Sequence, residues 1–180
     1  MEAVALRAGS SRLFAVAGYA AIASGVLAIP MVVTLAAMYA GFALGPGARE
    51  MALRFGTIND SLTIVVYGLL LPVIPAMHVI VKETGSARSV VLALVGAAGI
   101  VFTMVLQWLL ISGAMPFQQQ IGPVSASLLA TGAWILGASY LASKVGFLPN
   151  GLRNGILGGL YLGLPVWGID LGRRFLARRS

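Results

Sequence analysis

Long apolar stretches alternate along the chain with short clusters of charged residues, proline and glycine. No charged residue occurs between Arg12 and Arg49, and none of the 55 residues between Arg88 and Lys144 is charged. A helix that spans the hydrocarbon of a bilayer needs about 20 consecutive apolar residues. The second gap is therefore long enough for two helices. The sequence MPFQQQIGP divides it, because proline and glycine end helices and glutamine side chains favour water.

These intervals predict five membrane segments, at about residues 13–44, 61–81, 90–114, 124–142 and 155–171. We expect each segment to be an α-helix, since backbone N–H and C=O groups in hydrocarbon must be hydrogen-bonded within the protein. The predicted fold is all-α: one polytopic helical-bundle domain over residues 1–180, with short loops. The fifth segment has only 17 residues, including five glycines, Pro165 and Asp170, which is short for a complete crossing.

The distribution of charge supports a different number of crossings. With five spans, the twelve Lys and Arg residues divide into six on each side of the membrane. If the last segment is instead re-entrant or interfacial, ten lie on the side of both termini and two on the other, a strong bias of the kind that sets orientation in membranes. Hydropathy thus favours five spans, whereas charge favours four plus a re-entrant or interfacial segment.

Composition agrees with a membrane protein. Hydrophobic residues make up 59% of the chain and charged residues 9%, whereas soluble domains have roughly a quarter charged residues. The chain has no cysteine, which excludes disulfides and thiolate metal sites. Its basic residues flank the apolar segments and do not form one patch, so we expect contact with anionic lipids near the Arg-rich C-terminus and no nucleic-acid binding.

Small residues recur at four-residue spacing in two of the segments, which is typical of helices that pack closely in membranes. We interpret the two sets as helix-packing faces that could serve within the chain, in self-association or against another membrane protein. They are Ala17, Ala21 and Gly25 in the first segment, and Gly155, Gly159 and Gly163 in the fifth.

Polar residues of the second segment permit two interpretations. Asp60, Thr63, Tyr67 and His78 fall on one face of a continuous helix, and a polar stripe that faces the interior of a helical bundle could conduct a proton or bind a ligand. Alternatively, the two ends have separate roles. Thr57, Asn59 and Asp60 would then cap the start of the helix, and His78 would be an interfacial residue.

The remaining polar residues predict no enzyme. His78 is the only histidine, so a metal site is not expected and no cofactor is predicted; a haem or chlorophyll at His78 is a minor alternative. Gln107 lies mid-segment and is a candidate interhelical polar contact. We expect the glutamines at 118–120 to form a solvated loop, and Asp170 to pair with Arg173 or Arg174 one turn on.

Three stretches of the chain have a recognisable pattern: INDSLTIVVYGLLLPVIPAMHVIV, GFLPNGLRNGILGGLYLGLPVWGIDLGRR and RLFAVAGYAAIASGVLAI. With them the chain resembles a family of bacterial multi-pass membrane proteins of unknown function. The resemblance implies a multi-pass protein of the bacterial inner membrane, and it implies no catalytic or binding residue.

Three functions follow as expectations. The first is a non-enzymatic subunit, scaffold or oligomeric bundle that acts through helix packing. The second is a small transporter or channel for a proton, an ion or a small apolar compound, which would use the polar stripe on the second helix. The third is a tetrapyrrole-binding membrane subunit.

Overall fold

A computed structural model describes residues 2–159 and 163–178, for residues 2–10, 152 and 157 by their backbone alone. The described chain is helical and has no strand. Its seven α-helices are α1 (Glu2–Ala43), α2 (Arg49–Leu70), α3 (Val73–Val81), α4 (Ser86–Ile111), α5 (Phe117–Lys144), α6 (Gly151–Gly159) and α7 (Leu164–Arg178). Short 3-10 turns at Pro46–Ala48 and Lys82–Thr84 complete it.

Four stretches are long and apolar enough to cross a membrane: Ser11–Ala43, Pro46–Thr84, Ser86–Ile111 and Phe117–Lys144. The second and fourth predicted segments lie completely within these stretches. The first and third do so except for their last residues, 44 and 112–114. Large apolar side chains remain exposed on their outer surfaces, for example Val33, Leu94 and Leu129. These are the side chains that lipid would cover.

The second of these stretches is interrupted between α2 and α3, at Leu71 and Pro72. Proline has no N–H to donate and its ring clashes with the preceding turn, so a continuous α-helix is disfavoured there. The first stretch differs, because α1 continues through Pro30.

The helices pack in sequence, and α7 closes the arrangement. α1 contacts α2 and α7, α4 lies against both α2 and α5, and α6 contacts α5 and α7. We call the end of the molecule that carries the turns at Gly45 and Gly113 the cavity end. The opposite end carries the first turns of α1 and the last turn of α7, and we call it the terminal end.

The predicted fifth segment does not form one helix within the described residues. It falls on α6 and α7, and between them lie residues 160–162, which are outside the described part. Gly155 of α6 packs against Leu136 and Ser139 of α5, whereas Gly159 packs against Gly132, further from the end of α5. α6 therefore runs antiparallel to α5, away from the terminal end.

α7 runs in the opposite direction, back to the terminal end. A Cβ atom at Gly25 of α1 would lie 2.7 Å from the carbonyl oxygen of Pro165, and one at Gly168 would lie 2.7 Å from that of Ala21. Near its end, Phe175 stacks on Phe14 with ring centroids 5.9 Å apart. We call α6 and α7 together the terminal hairpin. A five-span arrangement is thus not confirmed.

The two small-residue faces lie inside the molecule. Ala17 and Ala21 are buried in α1, and Gly25 contacts α7. Gly155 and Gly159 contact α5, while Gly163 comes just before α7 and belongs to neither helix. Close approach of backbones is possible at these positions because glycine has no side chain and alanine has only a methyl group.

Candidate ligand cavity

A cavity of about 920 Å³ lies between α1, α2, α4 and α5, and the tip of the terminal hairpin forms its deep end. At the cavity end its lining includes the exposed residues Arg49 and Gln118. At the deep end it includes Gly132, Gly159 and Leu164. The cavity therefore extends from one end of the molecule to about half the length of α5.

One wall of the cavity is the polar face of α2. Asn59, Asp60, Thr63 and Tyr67 all line it, because positions three and four apart share a helix face. Asn59, Thr63 and Tyr67 are buried, and Asp60 is half-buried. The Asn59 side chain is hydrogen-bonded to the Asp60 carboxyl group.

Asp60 does not start the helix. α2 begins at Arg49, and its N-cap residue, Ala48, makes no side-chain capping bond. Thr57 lies within the helix, where its hydroxyl donates to the carbonyl of Leu53. The capping interpretation is therefore wrong, because α2 begins more than two turns before the apolar run that starts near Asp60.

His78 lies outside this cavity lining, so the structure divides the predicted stripe. Its Nδ1 atom is 2.6 Å from the Ser89 hydroxyl of α4, near the terminal end. A continuous helix would place His78 on the face of Asp60, but the break at Leu71 and Pro72 changes the helical phase between α2 and α3. Asp60, Thr63 and Tyr67 remain together.

A second polar group comes from α4 and α5. Gln120 donates from Nε2 to Oε1 of Gln107 at 2.7 Å and to the carbonyl of Leu106 at 3.2 Å. Both glutamines are buried and both line the cavity. Deeper on α5, Thr131 also lines it.

Gln120 and Thr131 are site residues that the sequence interpretation missed. The glutamines at 118–120 were expected in a solvated loop, but α5 begins at Phe117 and includes them. Positions 120, 127 and 131 are polar and share a helix face, and this spacing was the available signal. A prediction that begins the segment at residue 124 leaves position 120 outside the helix and so omits this spacing.

The rest of the lining is largely apolar and partly aromatic. Tyr39 and Phe42 come from α1, Leu110 from α4, and Phe117 and Ile121 from α5. Such a combination of apolar walls with a few polar groups is typical of small-molecule sites.

The lining carries two charged side chains among the described residues. Asp60 is the acidic one and Arg49 the basic one. They are eleven positions apart on α2, which is about 16 Å along the helix. The neighbouring Arg54 is paired with Glu50 at 2.7 Å on the exposed surface. Within residues 2–159 and 163–178, Asp60 forms no ion pair.

No group of three or more His, Cys, Asp or Glu side chains suited to a metal ion occurs in the described chain. No known family model, curated protein or solved structure matches this chain.

Proposed function

We propose that this chain is an integral membrane protein that binds a small organic solute in the cavity and moves it across the membrane. The observation that supports this proposal is the cavity, with its volume of about 920 Å³ and its carboxyl, phenol and amide groups on otherwise apolar walls. Sites for drug-sized ligands have volumes of roughly 300–1,000 Å³ and similar linings.

We further propose that the protein has four complete crossings and that the terminal hairpin is re-entrant. α6 has nine residues, or about 14 Å, roughly half of the hydrocarbon thickness of about 30 Å. With this topology, ten of the twelve Lys and Arg residues lie on the side of the termini. The positive-inside rule then assigns the termini to the cytoplasm and the cavity end to the opposite face. In a bacterium the membrane would be the inner membrane.

The re-entrant hairpin is the reason to propose transport in addition to binding. Helices that reach only half-way through the bilayer are tolerated where they are buried in protein or line a cavity, and discontinuous helices are common at transport sites. Here the contact between α5 and the tip of α6 is made by two glycines, Gly132 and Gly159. A shift of the hairpin along α5 would open the deep end of the cavity.

The two other expectations have weaker support. A subunit or scaffold would need an external packing face, but Gly25, Gly155 and Gly159 already pack inside the chain. A tetrapyrrole at His78 would have to use Nε2, since Nδ1 contacts Ser89. Tetrapyrrole binding stays a prediction, and an absorption spectrum of the purified protein in the Soret region would test it.

Two adjacent residues of α5 give a matched test. Leu128 lines the cavity, whereas Leu129 does not line it and is 74% exposed on the outer surface. We expect Leu128→Trp to reduce the uptake of small fluorescent dyes by proteoliposomes, and Leu129→Trp to leave it unchanged. The panel would contain a cationic, a neutral and an anionic dye. Uptake equal to that of empty liposomes for all three dyes, or equal uptake by both variants, would contradict the proposal.

A further inference from the structure

We propose that the ligand of the cavity is an amphipathic organic cation with one positive charge, held by an ion pair with Asp60. This inference rests on the proposed function, because it concerns the same cavity. It depends on the charge of the lining, on the shape and size of the space, and on the position of the aromatic side chains.

The first argument is electrostatic. Asp60 is the acidic residue of the described lining and is half-buried, and it has no cationic partner in the described part of the chain. A carboxylate that is partly removed from water is costly unless another charge or several hydrogen bonds compensate it. The hydrogen bond with Asn59 compensates only in part. A cationic ligand would supply the missing charge.

The second argument is the size of the space. About 920 Å³ is far more than an inorganic cation occupies, and the described chain offers no cluster of ligating side chains that would hold one. A polyatomic cation with an apolar body fills such a volume and removes apolar wall from water. The ligand is therefore organic.

The third argument concerns the walls. Tyr39, Phe42 and Phe117 line the cavity near its mouth, and Tyr67 lines it about two helical turns from Asp60 on the same face of α2. Aromatic faces attract organic cations, most strongly where water is displaced. The amides of Gln107 and Gln120 are bonded to each other, which leaves Asp60 as the charged anchor.

The fourth argument limits the number of charges. Arg49 is exposed at the mouth, about 16 Å along α2 from Asp60. A ligand with a second positive charge would bring that charge towards the Arg49 guanidinium. The described lining has no second carboxylate to neutralise it. A ligand with one positive charge is therefore neutralised by the single carboxylate of the described lining, Asp60.

The experiment compares two ions of the same shape and opposite charge, tetraphenylphosphonium and tetraphenylborate. Binding to the purified protein in detergent would be measured by equilibrium dialysis. We expect the wild type to prefer the phosphonium, and Asp60→Asn to weaken phosphonium binding at least about tenfold, because removal of one partner of a buried charge pair is costly. Glu50→Gln, on the exposed surface of the same helix, should bind like the wild type.

Failure of this inference can be distinguished from failure of the proposed function. If Leu128→Trp abolishes phosphonium binding but Asp60→Asn does not change it, the cavity is the site and the ion pair is refuted. If neither substitution changes binding, or if the wild type binds neither ion, the inference is overturned, and the dye uptake of Leu128→Trp and Leu129→Trp then decides the proposed function separately. Should Asp60→Asn not fold, the preference of the wild type between the two ions decides, and equal binding of both overturns the inference.

Discussion

Two fully buried serines in this chain differ in whether a partner reaches them. The Ser139 hydroxyl accepts a hydrogen bond from the Trp167 indole N–H at 3.0 Å, and so joins α5 to α7. The Ser24 hydroxyl in α1 has no partner among the described residues. Both side chains are 0% exposed, so substitution by alanine isolates the effect of the hydrogen bond.

We therefore predict opposite results for the two alanine variants. Ser139→Ala leaves the Trp167 N–H buried without its acceptor and should cost about 1–3 kcal/mol of stability. Ser24→Ala removes a hydroxyl without a partner and should leave stability unchanged or raise it by up to about 1 kcal/mol. Thermal unfolding in detergent, with circular dichroism at 222 nm, measures both. A loss in Ser24→Ala equal to that in Ser139→Ala would mean that Ser24 has a partner in the folded protein.

At single positions, the sequence predicts well only where the helical phase is undisturbed. Asp60, Thr63 and Tyr67 lie on an unbroken part of α2, and all three line the cavity. His78 comes after Pro72, and its position could not be computed because a proline break changes rotation and bend by an amount that composition does not encode. The sequence prediction omits Gln120 for another reason, because polar residues in the first turn of a helix have the composition of a loop.

At the scale of elements, uninterrupted apolar runs were sufficient to predict the four stretches that are long and apolar enough to cross a membrane. Hydropathy alone does not predict the terminal hairpin, because one window over residues 155–171 averages over parts of two helices, α6 and α7. Charge was informative here: the ten-to-two distribution of Lys and Arg favoured the arrangement without a fifth crossing.

The packing of the hairpin against α1 gives a prediction at this scale. A Cβ atom at Gly168 would lie 2.7 Å from the backbone oxygen of Ala21, which cannot move without moving α1. Gly168→Ala should therefore destabilise the protein by about 1–3 kcal/mol through overpacking. Gly122 in α5 has open space at the same position, and Gly122→Ala should stabilise by up to about 1 kcal/mol, as alanine favours helix.

Thermal unfolding of both variants in detergent measures the difference. If the protein tolerates Gly168→Ala as well as Gly122→Ala, α7 is not held against α1 at this distance. The neighbouring contact between α1 and α7, in which a Cβ atom at Gly25 would lie 2.7 Å from the Pro165 oxygen, would then also have to be looser.

At the scale of the whole molecule, the terminal end brings basic side chains next to aromatic rings. Arg178 lies over the rings of Phe14 and Phe147, and with Arg174 it lines a shallow cleft of about 330 Å³. Arg174 is paired with Asp170 at 3.1 Å, which leaves Arg178 for the lipid surface. We predict that Arg178→Gln lowers the amount of anionic phospholipid that copurifies, relative to Arg54→Gln at the cavity end. Equal lipid content in both variants would contradict this.

The topology of the whole chain can be tested without background, because the chain has no cysteine. Single cysteines would replace Gly47 in the turn at the cavity end, Asn150 before α6, and Arg178 at the end of α7. If α6 and α7 form a re-entrant hairpin, Asn150→Cys and Arg178→Cys lie on the same side, and a membrane-impermeant maleimide reaches both only after intact cells are lysed. Gly47→Cys should react in intact cells. A fifth crossing requires that Asn150→Cys and Arg178→Cys react from opposite sides, and this result would refute the hairpin whatever the orientation of the termini.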